Sequence, residues 1–258
     1  MSLFHAVRGQ GQPLVLLHGW AMHAGIFGPL SDALADHFEL HLIDLPGHGR
    51  SADAGVPLTL DAAADAVAAR VPARAIWLGW SLGGLVALQA AARIPERVRG
   101  LVMLAASPRF VRGEDWPAGM DPSVFRGFGS ELGRDYRGTL DRFLMLEAQG
   151  SDHVREELRL LRAEVFAHGE PGADVLCEGL RLLENSDLRA DLPGLAMPSL
   201  WLAGRRDRLV SPAAMQAAAE LAPDARFHQV QHGGHAPFLT HAGEVAGALR
   251  DFAGDCPP

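Results

Sequence analysis

Short apolar runs alternate with amphipathic stretches through the first 105 residues of the chain. Mostly apolar runs of this length are typical of strands buried on both faces of a sheet, and a 3.6-residue period is typical of helices. The runs predict strands over residues 13–17, 38–43, 75–80 and 100–105. The stretches between them predict helices over residues 26–36, 60–71 and 82–93. The alternation indicates a parallel sheet covered by helices.

The same alternation returns near the carboxyl end, with strands predicted over 198–203 and 226–230 and helices over 212–221 and 242–252. Between the two blocks the charges become frequent and the strand pattern disappears. Helical patterns replace it over residues 139–149, 152–168 and 173–184. We therefore predict an α/β fold, a mostly parallel central sheet with helices on both faces, formed by residues 1–106 and 193–258. Residues 107–192 are predicted as an inserted all-helical lid, called the insertion below.

The amino-acid composition excludes several classes of functional site. The 258 residues carry a formal net charge of −8, which argues against a nucleic-acid-binding surface. All 23 basic residues are arginines, so a Schiff-base lysine, a phosphate-loop lysine and a lysine general base are excluded. The single tyrosine, Tyr136, without any lysine also excludes a Tyr–Lys reductase site.

The cellular setting is inferred from the cysteines and the apolar runs. Cys177 and Cys256 lie far apart in the sequence and fit a reducing compartment better than a disulfide framework. The N-terminal residues lack a secretory-signal pattern, and polar residues and glycines interrupt the apolar stretch 75–92. We expect a cytoplasmic monomer with no membrane segment, no bound metal and no nucleic-acid partner.

The strongest chemical signal is Gly-Trp-Ser-Leu-Gly at residues 79–83, between a predicted strand and a predicted helix. A serine on such a sharp turn has a strained backbone and needs small residues two positions away on each side. The turn exposes the hydroxyl, and the helix N-terminus behind it favours developing negative charge. The pattern predicts Ser81 as a nucleophile.

A serine hydroxyl needs a base, and this type of turn is followed by an acid and then a histidine along the chain. Asp207 and His235 each follow a predicted strand, so their loops meet at one edge of a parallel sheet. We predict that His235 transfers the proton and that Asp207 orients its imidazole. Asp187 and Asp191 are alternative acids, although local capping or pairing explains them as well.

Two further features bear on the predicted site. His232 lies three residues before His235, but no zinc-like ligand spacing accompanies the pair, and we expect a structural role for it. The amide groups of Trp20 and Leu82 are the candidate donors of an oxyanion hole. Ordinary core packing explains Trp20 and Trp80. Because both lie next to the predicted catalytic residues, they are also candidates for an apolar pocket wall.

The sequence resembles the α/β-hydrolase superfamily through LLHGW, DLPGHGRS, GWSLGG, GRRDRLV and GGHAPF. Within it, the chain resembles the BioH-type esterases of biotin synthesis. That narrower likeness is carried by HLIDLPGHGRS, AIWLGWSLGGLVA, PERVRGLV, DRFLMLEAQG and HAPFLTH. The fourth of these segments lies in the insertion, where substrate choice is set.

This resemblance implies hydrolysis of the methyl ester of pimeloyl-acyl carrier protein to methanol and the free carboxylate, with no cofactor. It implies an acyl site lined by Trp20, Ser81, Leu82, His235, Phe143, Leu144, Met145, Leu146 and Glu147. One residue departs from the expected pattern, because we expect glutamine where Glu147 stands. A negative charge there would oppose retention of the carboxylate product unless it lay away from it.

The resemblance also implies docking of an acidic acyl carrier protein on basic residues of the insertion. Arg155, Arg159 and Arg162 share one helix face by their spacing, and Arg142 lies on the preceding helix. A charged helix face, however, more often is simply exposed to solvent and binds no partner. No segment there is net basic, so docking would depend on geometry.

Other functions stay open at this point. A short-chain carboxylesterase, a lactonase, a perhydrolase and a carbon–carbon bond hydrolase share every core motif, and only the insertion separates them. A non-catalytic binding protein on the same fold is disfavoured by the intact serine, acid and histidine. Ser81 excludes a dehalogenase, which would carry aspartate at that turn.

Overall fold

The computed structural model of the chain describes residues 2–256. Its strands are β1 His5–Gly9, β2 Gln12–Leu17, β3 Phe38–Ile43, β4 Ala75–Trp80, β5 Val98–Leu104, β6 Ser199–Gly204 and β7 Ala225–Val230. They form one sheet in the order β1-β3-β2-β4-β5-β6-β7. β1 pairs antiparallel with β3, and the remaining neighbours pair in parallel. The prediction of a mostly parallel sheet is confirmed.

The helices cover this sheet and fill the insertion. They are α1 Gly28–Leu34, α2 Leu60–Ala68, α3 Leu82–Arg93, α4 Pro122–Leu132, α5 Tyr136–Ala148, α6 Val154–Glu164, α7 Ala173–Asn185, α8 Pro212–Ala219, α9 Pro237–Thr240 and α10 Ala242–Asp255. α2 packs on α3, whereas α1 packs on α9 and α10. Right-handed crossovers place these two groups on opposite faces of the sheet. Helices α4–α7 lie within residues 107–192, where the sequence predicts the insertion.

The predicted strands agree with the observed bounds to within two residues, whereas β1 was not predicted. Its sequence, HAVRG, is short and partly exposed along its whole length, so it lacks the apolar run that marks the other strands. The helix predicted over residues 152–168 is shorter in the structure and ends at Glu164.

The core is centred on the middle strands. β4 and β6 are buried at every one of their positions, and Trp77, Trp80 and Trp201 are among the largest fully buried side chains. Parallel strands covered on both faces have no solvent side, which explains their continuous apolar runs. Within residues 2–256, none of the helices combines the length and apolar character needed to cross a bilayer.

The sheet order also positions the candidate chemistry. β4, β5, β6 and β7 are successive parallel neighbours, so their carboxyl ends share one edge. Ser81 follows β4, Asp207 lies just after β6 and His235 lies after β7. Ligands of open α/β sheets bind at this edge of the strands.

Candidate active site

Ser81 is the single residue between the end of β4 and the start of α3. Its backbone has φ 53° and ψ −119°, in the left-handed region that side chains other than glycine rarely adopt. A Cβ atom at Gly79 would collide with the backbone of Gly83, and one at Gly83 with the backbone of Leu17. The glycines predicted around this turn are therefore required by space as well as by pattern.

The structure brings Ser81, His235 and Asp207 into one hydrogen-bonded row. His235 Nε2 lies 2.9 Å from Ser81 Oγ, and His235 Nδ1 lies 2.8 Å from Asp207 Oδ2. With the imidazole proton on Nδ1, His235 donates to Asp207 and accepts from the Ser81 hydroxyl. The other oxygen of Asp207 accepts from the amides of Leu209 and Val210, at 2.8 and 2.9 Å. These bonds fix the carboxylate and, through it, the orientation of the imidazole.

The row is closed to solvent. Ser81 and His235 have no exposed area, and neither has the side chain of Asp207. Trp80 donates its indole N–H to the carbonyl oxygen of His235 at 2.9 Å and packs edge-on against Phe238. Electrostatic interactions are stronger in such a dry environment than in water.

The amide groups of Trp20 and Leu82 stay the predicted donors of an oxyanion hole. Within residues 2–256, neither N–H has a hydrogen-bond acceptor. Leu82 is the first residue of α3, whose initial N–H groups have no partner inside the helix. A Cβ atom at Gly19 would lie 3.2 Å from Ser81 Cβ, so the absence of a side chain lets this loop approach the serine.

His18 holds the peptide that carries the Trp20 amide. His18 Nδ1 donates to the Gly19 carbonyl at 2.8 Å, and its Nε2 accepts from the Leu45 amide at 2.8 Å. Burial, aided by the neighbouring His48, lowers the pKa of His18 to about 3, so the ring is neutral as this pattern requires. Because the peptide is planar and trans, a fixed Gly19 carbonyl also fixes the opposite direction of the Trp20 N–H.

The insertion covers the site through Trp20. The indole ring lies 4.4 Å from the ring of Phe143 on α5, between centroids, and its N–H donates to the Leu176 carbonyl on α7 at 2.8 Å. Phe143 in turn meets Phe128 on α4. Trp20 and Trp80 are both fully buried in the core, and they stay candidates for an apolar wall beside Ser81.

Of the five consecutive residues predicted to line an acyl site, the structure brings only some to the interior. Phe143, Leu144 and Glu147 are buried, Leu146 is partly buried, and Met145 is 44 % exposed. A helix turns by about 100° per residue, so five successive side chains cannot share one direction. Met145 lies on the outer face of α5, away from the buried site.

The four arginines proposed for docking divide into two pairs. Arg142 pairs with Glu131 at 2.6 Å and with Asp135 at 3.2 Å, and Arg162 pairs with Asp141 at 2.6 Å. Arg155 and Arg159 are exposed on α6 and have no ion-pair partner within residues 2–256. Only the latter pair is available to a partner without breaking an existing contact.

A contact that sequence reasoning missed connects the insertion to both strand-end loops. The Asp152 carboxylate, in the turn between α5 and α6, pairs with Arg206 and lies 2.6 Å from His232 Nδ1. Its amide also donates to the His232 carbonyl at 3.3 Å. Arg206 adjoins Asp207, and His232 lies three residues before His235. No sequence pattern marked Asp152, because its partners are more than fifty residues away.

The alternatives from the sequence lie elsewhere. Asp187 pairs with Arg189 at 2.7 Å and with Arg109 at 3.2 Å, and Asp191 is exposed. Neither contacts His235. Within residues 2–256, no three His, Cys, Asp or Glu side chains are grouped so that they could hold a metal ion. His232 instead contacts Asp152.

Known proteins resemble this chain over most of its length. The family model of the α/β hydrolase fold matches residues 12–242. A protein of Stenotrophomonas maltophilia (strain K279a) named pimeloyl-[acyl-carrier protein] methyl ester esterase is 59% identical over 98% of this chain and 96% of its own length. A protein of the same name from Xanthomonas axonopodis pv. citri (strain 306) is 57% identical over 97% and 98%.

Solved structures agree on the fold. An esterase from Exiguobacterium antarcticum has a TM-score of 0.84 at 20% identity, covering 98% of this chain and 96% of that one. The enol-lactonase from Burkholderia xenovorans LB400 gives the same TM-score, identity and coverage. These likenesses show the fold alone, since one architecture supports different reactions. By the family match and the near-full-length relatives, the chain belongs to the α/β-hydrolase family, in the group named pimeloyl-[acyl-carrier protein] methyl ester esterases.

Proposed function

We propose that this protein is a serine carboxylesterase that hydrolyses the methyl ester of pimeloyl-acyl carrier protein to methanol and pimeloyl-acyl carrier protein. The hydrogen-bonded row of Ser81, His235 and Asp207 carries the esterase part of the proposal. The relatives of the same name at 57% and 59% identity support the substrate.

Acylation begins when Ser81 Oγ attacks the ester carbonyl while His235 Nε2 takes the hydroxyl proton. The tetrahedral oxyanion is stabilised by the N–H groups of Trp20 and Leu82, and one such donor contributes roughly 10²–10³-fold in kcat. Collapse expels the methoxy group, which takes the proton from the imidazolium and leaves as methanol. Asp207 stays ionised and stabilises the imidazolium.

Deacylation repeats the sequence with water. His235 removes a proton from a water molecule as its oxygen attacks the acyl-enzyme carbonyl, and the second tetrahedral intermediate uses the same two N–H donors. Its collapse returns the proton to Ser81 Oγ and frees the carboxylic acid, which releases its own proton to solvent. Ser81, His235 and Asp207 thus end the cycle as they began it, and no cofactor enters the balance.

The carrier protein is proposed to dock on α6. Arg155 and Arg159 are exposed cations on this helix, and an acidic partner would be attracted to them without displacing an internal carboxylate. Arg142 and Arg162 contribute less to this proposal, because their guanidinium groups already contact Glu131, Asp135 and Asp141.

We propose the cytoplasm as the setting and a monomer as the working unit. Both cysteines are free thiols, which a reducing compartment favours. Within residues 2–256, the exposed large hydrophobic side chains, Val7, Met145, Val154 and Leu221, lie in four different segments. Scattered single residues of this kind need no partner surface to explain them.

The deciding experiment compares kcat/KM for pimeloyl-acyl carrier protein methyl ester and for a short aryl ester, with purified protein. We expect a preference of at least about 10²-fold for the carrier-bound ester, the scale that several new contacts provide. Turnover of the aryl ester alone would overturn the proposed substrate and leave a general esterase. Activity on neither would overturn the esterase proposal itself.

A further inference from the structure

One buried carboxylic acid lies beside the proposed catalytic row without a partner. Glu147, in the last turn of α5, has no exposed area. Within the described residues, both of its carboxyl oxygens lack a hydrogen bond. Its backbone carbonyl, by contrast, accepts from the amide of His235 at 3.4 Å. Glu147 is thus tied by its main chain to the residue proposed as the general base.

The groups that face the Glu147 carboxyl are acidic. Asp207 approaches it from the loop after β6, and Glu157 from α6. Glu157 is buried as well, and its Oε1 accepts from the hydroxyls of Ser151 and Thr240 at 2.6 and 2.7 Å. The ring of His235 is already engaged on both nitrogens, by Ser81 and Asp207.

Within the described residues, no cation of these segments bonds to the Glu147 carboxyl, and Arg155 and Arg159 on α6 are exposed to solvent. Arg206, beside Asp207, pairs with Asp152, and His153, at the start of α6, pairs with Glu156 at 3.8 Å. An ionised Glu147 would therefore be a buried charge without a counter-ion, next to a carboxylate that is ionised for catalysis. Such a charge is strongly unfavourable, and proteins avoid it by keeping the group protonated.

The pKa values of the two glutamates are raised, chiefly by burial. Burial raises the pKa of Glu147 well above its usual range, and the neighbouring Asp207 and Glu157 raise it further. Burial also raises the pKa of Glu157, although the hydroxyls of Ser151 and Thr240 oppose that shift. Both glutamates thus resist ionisation. Asp207, by contrast, accepts hydrogen bonds from two amide groups.

We propose that Glu147 is a positioning residue for His235 that works only as a neutral acid. While uncharged, it lets the end of α5 pack against the His235 loop and keeps the hydrogen bond from the His235 amide to the Glu147 carbonyl. When it ionises, repulsion from Asp207 and Glu157 moves α5 away from this loop and misaligns the imidazole. The inference rests on the proposed role of His235 as the base.

The first arm of the test measures stability, which needs no substrate. Glu147→Gln is neutral at every pH and keeps the side-chain shape. Glu178→Gln removes an exposed charge from α7 and serves as the matched control. A folded-state pKa above the unfolded value means that the wild type loses stability as pH rises from the unfolded pKa to the folded pKa.

Urea unfolding between pH 5 and pH 8 should therefore show the Glu147→Gln protein gaining on the wild type with pH. The gain approaches tenfold in the folding equilibrium constant per pH unit, about 1.4 kcal/mol. Any constant cost of the buried amide cancels from this slope. Glu178→Gln should run parallel to the wild type. Equal slopes for Glu147→Gln and wild type would overturn the proposal.

The second arm measures kcat for a short aryl ester from pH 6 to pH 10, a readout that a merely structural role would not move. We expect the alkaline decline of kcat to shift upward by about one pH unit in Glu147→Gln and to stay in place in Glu178→Gln. A changed stability slope with an unchanged kcat profile would overturn the positioning role. Absence of ester hydrolysis at every pH would instead overturn the proposed function, and the unfolding series does not depend on it.

Discussion

Charged side chains are used differently in the sheet core and in the insertion. β4 and β6 are buried along their whole length, and Asp207, after β6, forms an enclosed pair with His235, after β7. The insertion instead carries exposed ion pairs, among them Arg142 with Glu131 and Arg162 with Asp141. Exposed pairs contribute about 0–1 kcal/mol each, so the insertion tolerates changes that the core does not. Under the proposed function, the core holds the catalytic row, and the exposed face of the insertion is where recognition can vary.

The largest effect is expected from the core, on replacing Ser81 with alanine. The nucleophilic oxygen is lost while the turn and its glycines remain, so kcat for the aryl ester should fall by roughly 10⁵-fold or more. Thermal unfolding of the variant should stay within about 3 °C of the wild type, because no core packing is removed. Substantial remaining turnover by a folded variant would refute Ser81 as the nucleophile.

A smaller effect, selective for substrate, is expected on the outer face of the insertion. Replacing Arg155 and Arg159 together with alanine removes two unpaired cations, and we expect about a tenfold fall in kcat/KM for the carrier-bound ester. The aryl ester should be unaffected, because neither side chain contacts the buried site.

Arg162→Ala is the matched control, since this arginine lies on the same helix but is paired with Asp141. It should change carrier kcat/KM by no more than about twofold. Equal losses for the control and the double variant would contradict docking through the two free arginines, as would equal losses on both esters.

The smallest effect lies where core and insertion meet. Asp152→Asn weakens the contacts to Arg206 and His232 that connect the α5–α6 turn to both strand-end loops. We expect kcat for the aryl ester to fall about threefold, with a loss of stability of about 0.5–1 kcal/mol. Asp141→Asn removes an ion pair within the insertion and should cost similar stability without lowering kcat. Matching kcat values for the two variants would show that Asp152 has no special connection to the catalytic row.

The sequence predicts the core well because its signals are local. The apolar run, the glycines and the helical pattern of residues 75–93 predict the strand, turn and helix around Ser81. In the structure, Asp207 and His235 lie within hydrogen-bond distance along one row with this serine. β1 escaped prediction because an exposed edge strand carries little apolar pattern. β1 pairs with β3, which is distant in the sequence, and the five residues of β1 alone do not predict this pairing.

The ion pairs and the side-chain burial of the insertion were harder to predict, because they depend on which helix faces pack together. The pairing of Arg142 with Glu131 and Asp135, and the exposure of Met145, follow from the packing of α4, α5 and α6. The isolated position of the Glu147 carboxyl depends on three segments from different parts of the chain. A departure from the expected glutamine marked this position in the sequence, but its neighbours are visible only in the folded molecule.

The enclosure of Ser81 and His235 has a consequence for affinity. With Phe143 over Trp20 and the Leu176 carbonyl on its indole, an ester reaches the serine only from an open conformation. The apparent affinity is then the intrinsic affinity multiplied by the fraction of molecules that are open. A substitution on α5 or α7 that loosens this cover would lower KM without touching the ester, by enlarging that population. Distance from Ser81 is therefore a poor guide to a residue's influence on substrate binding.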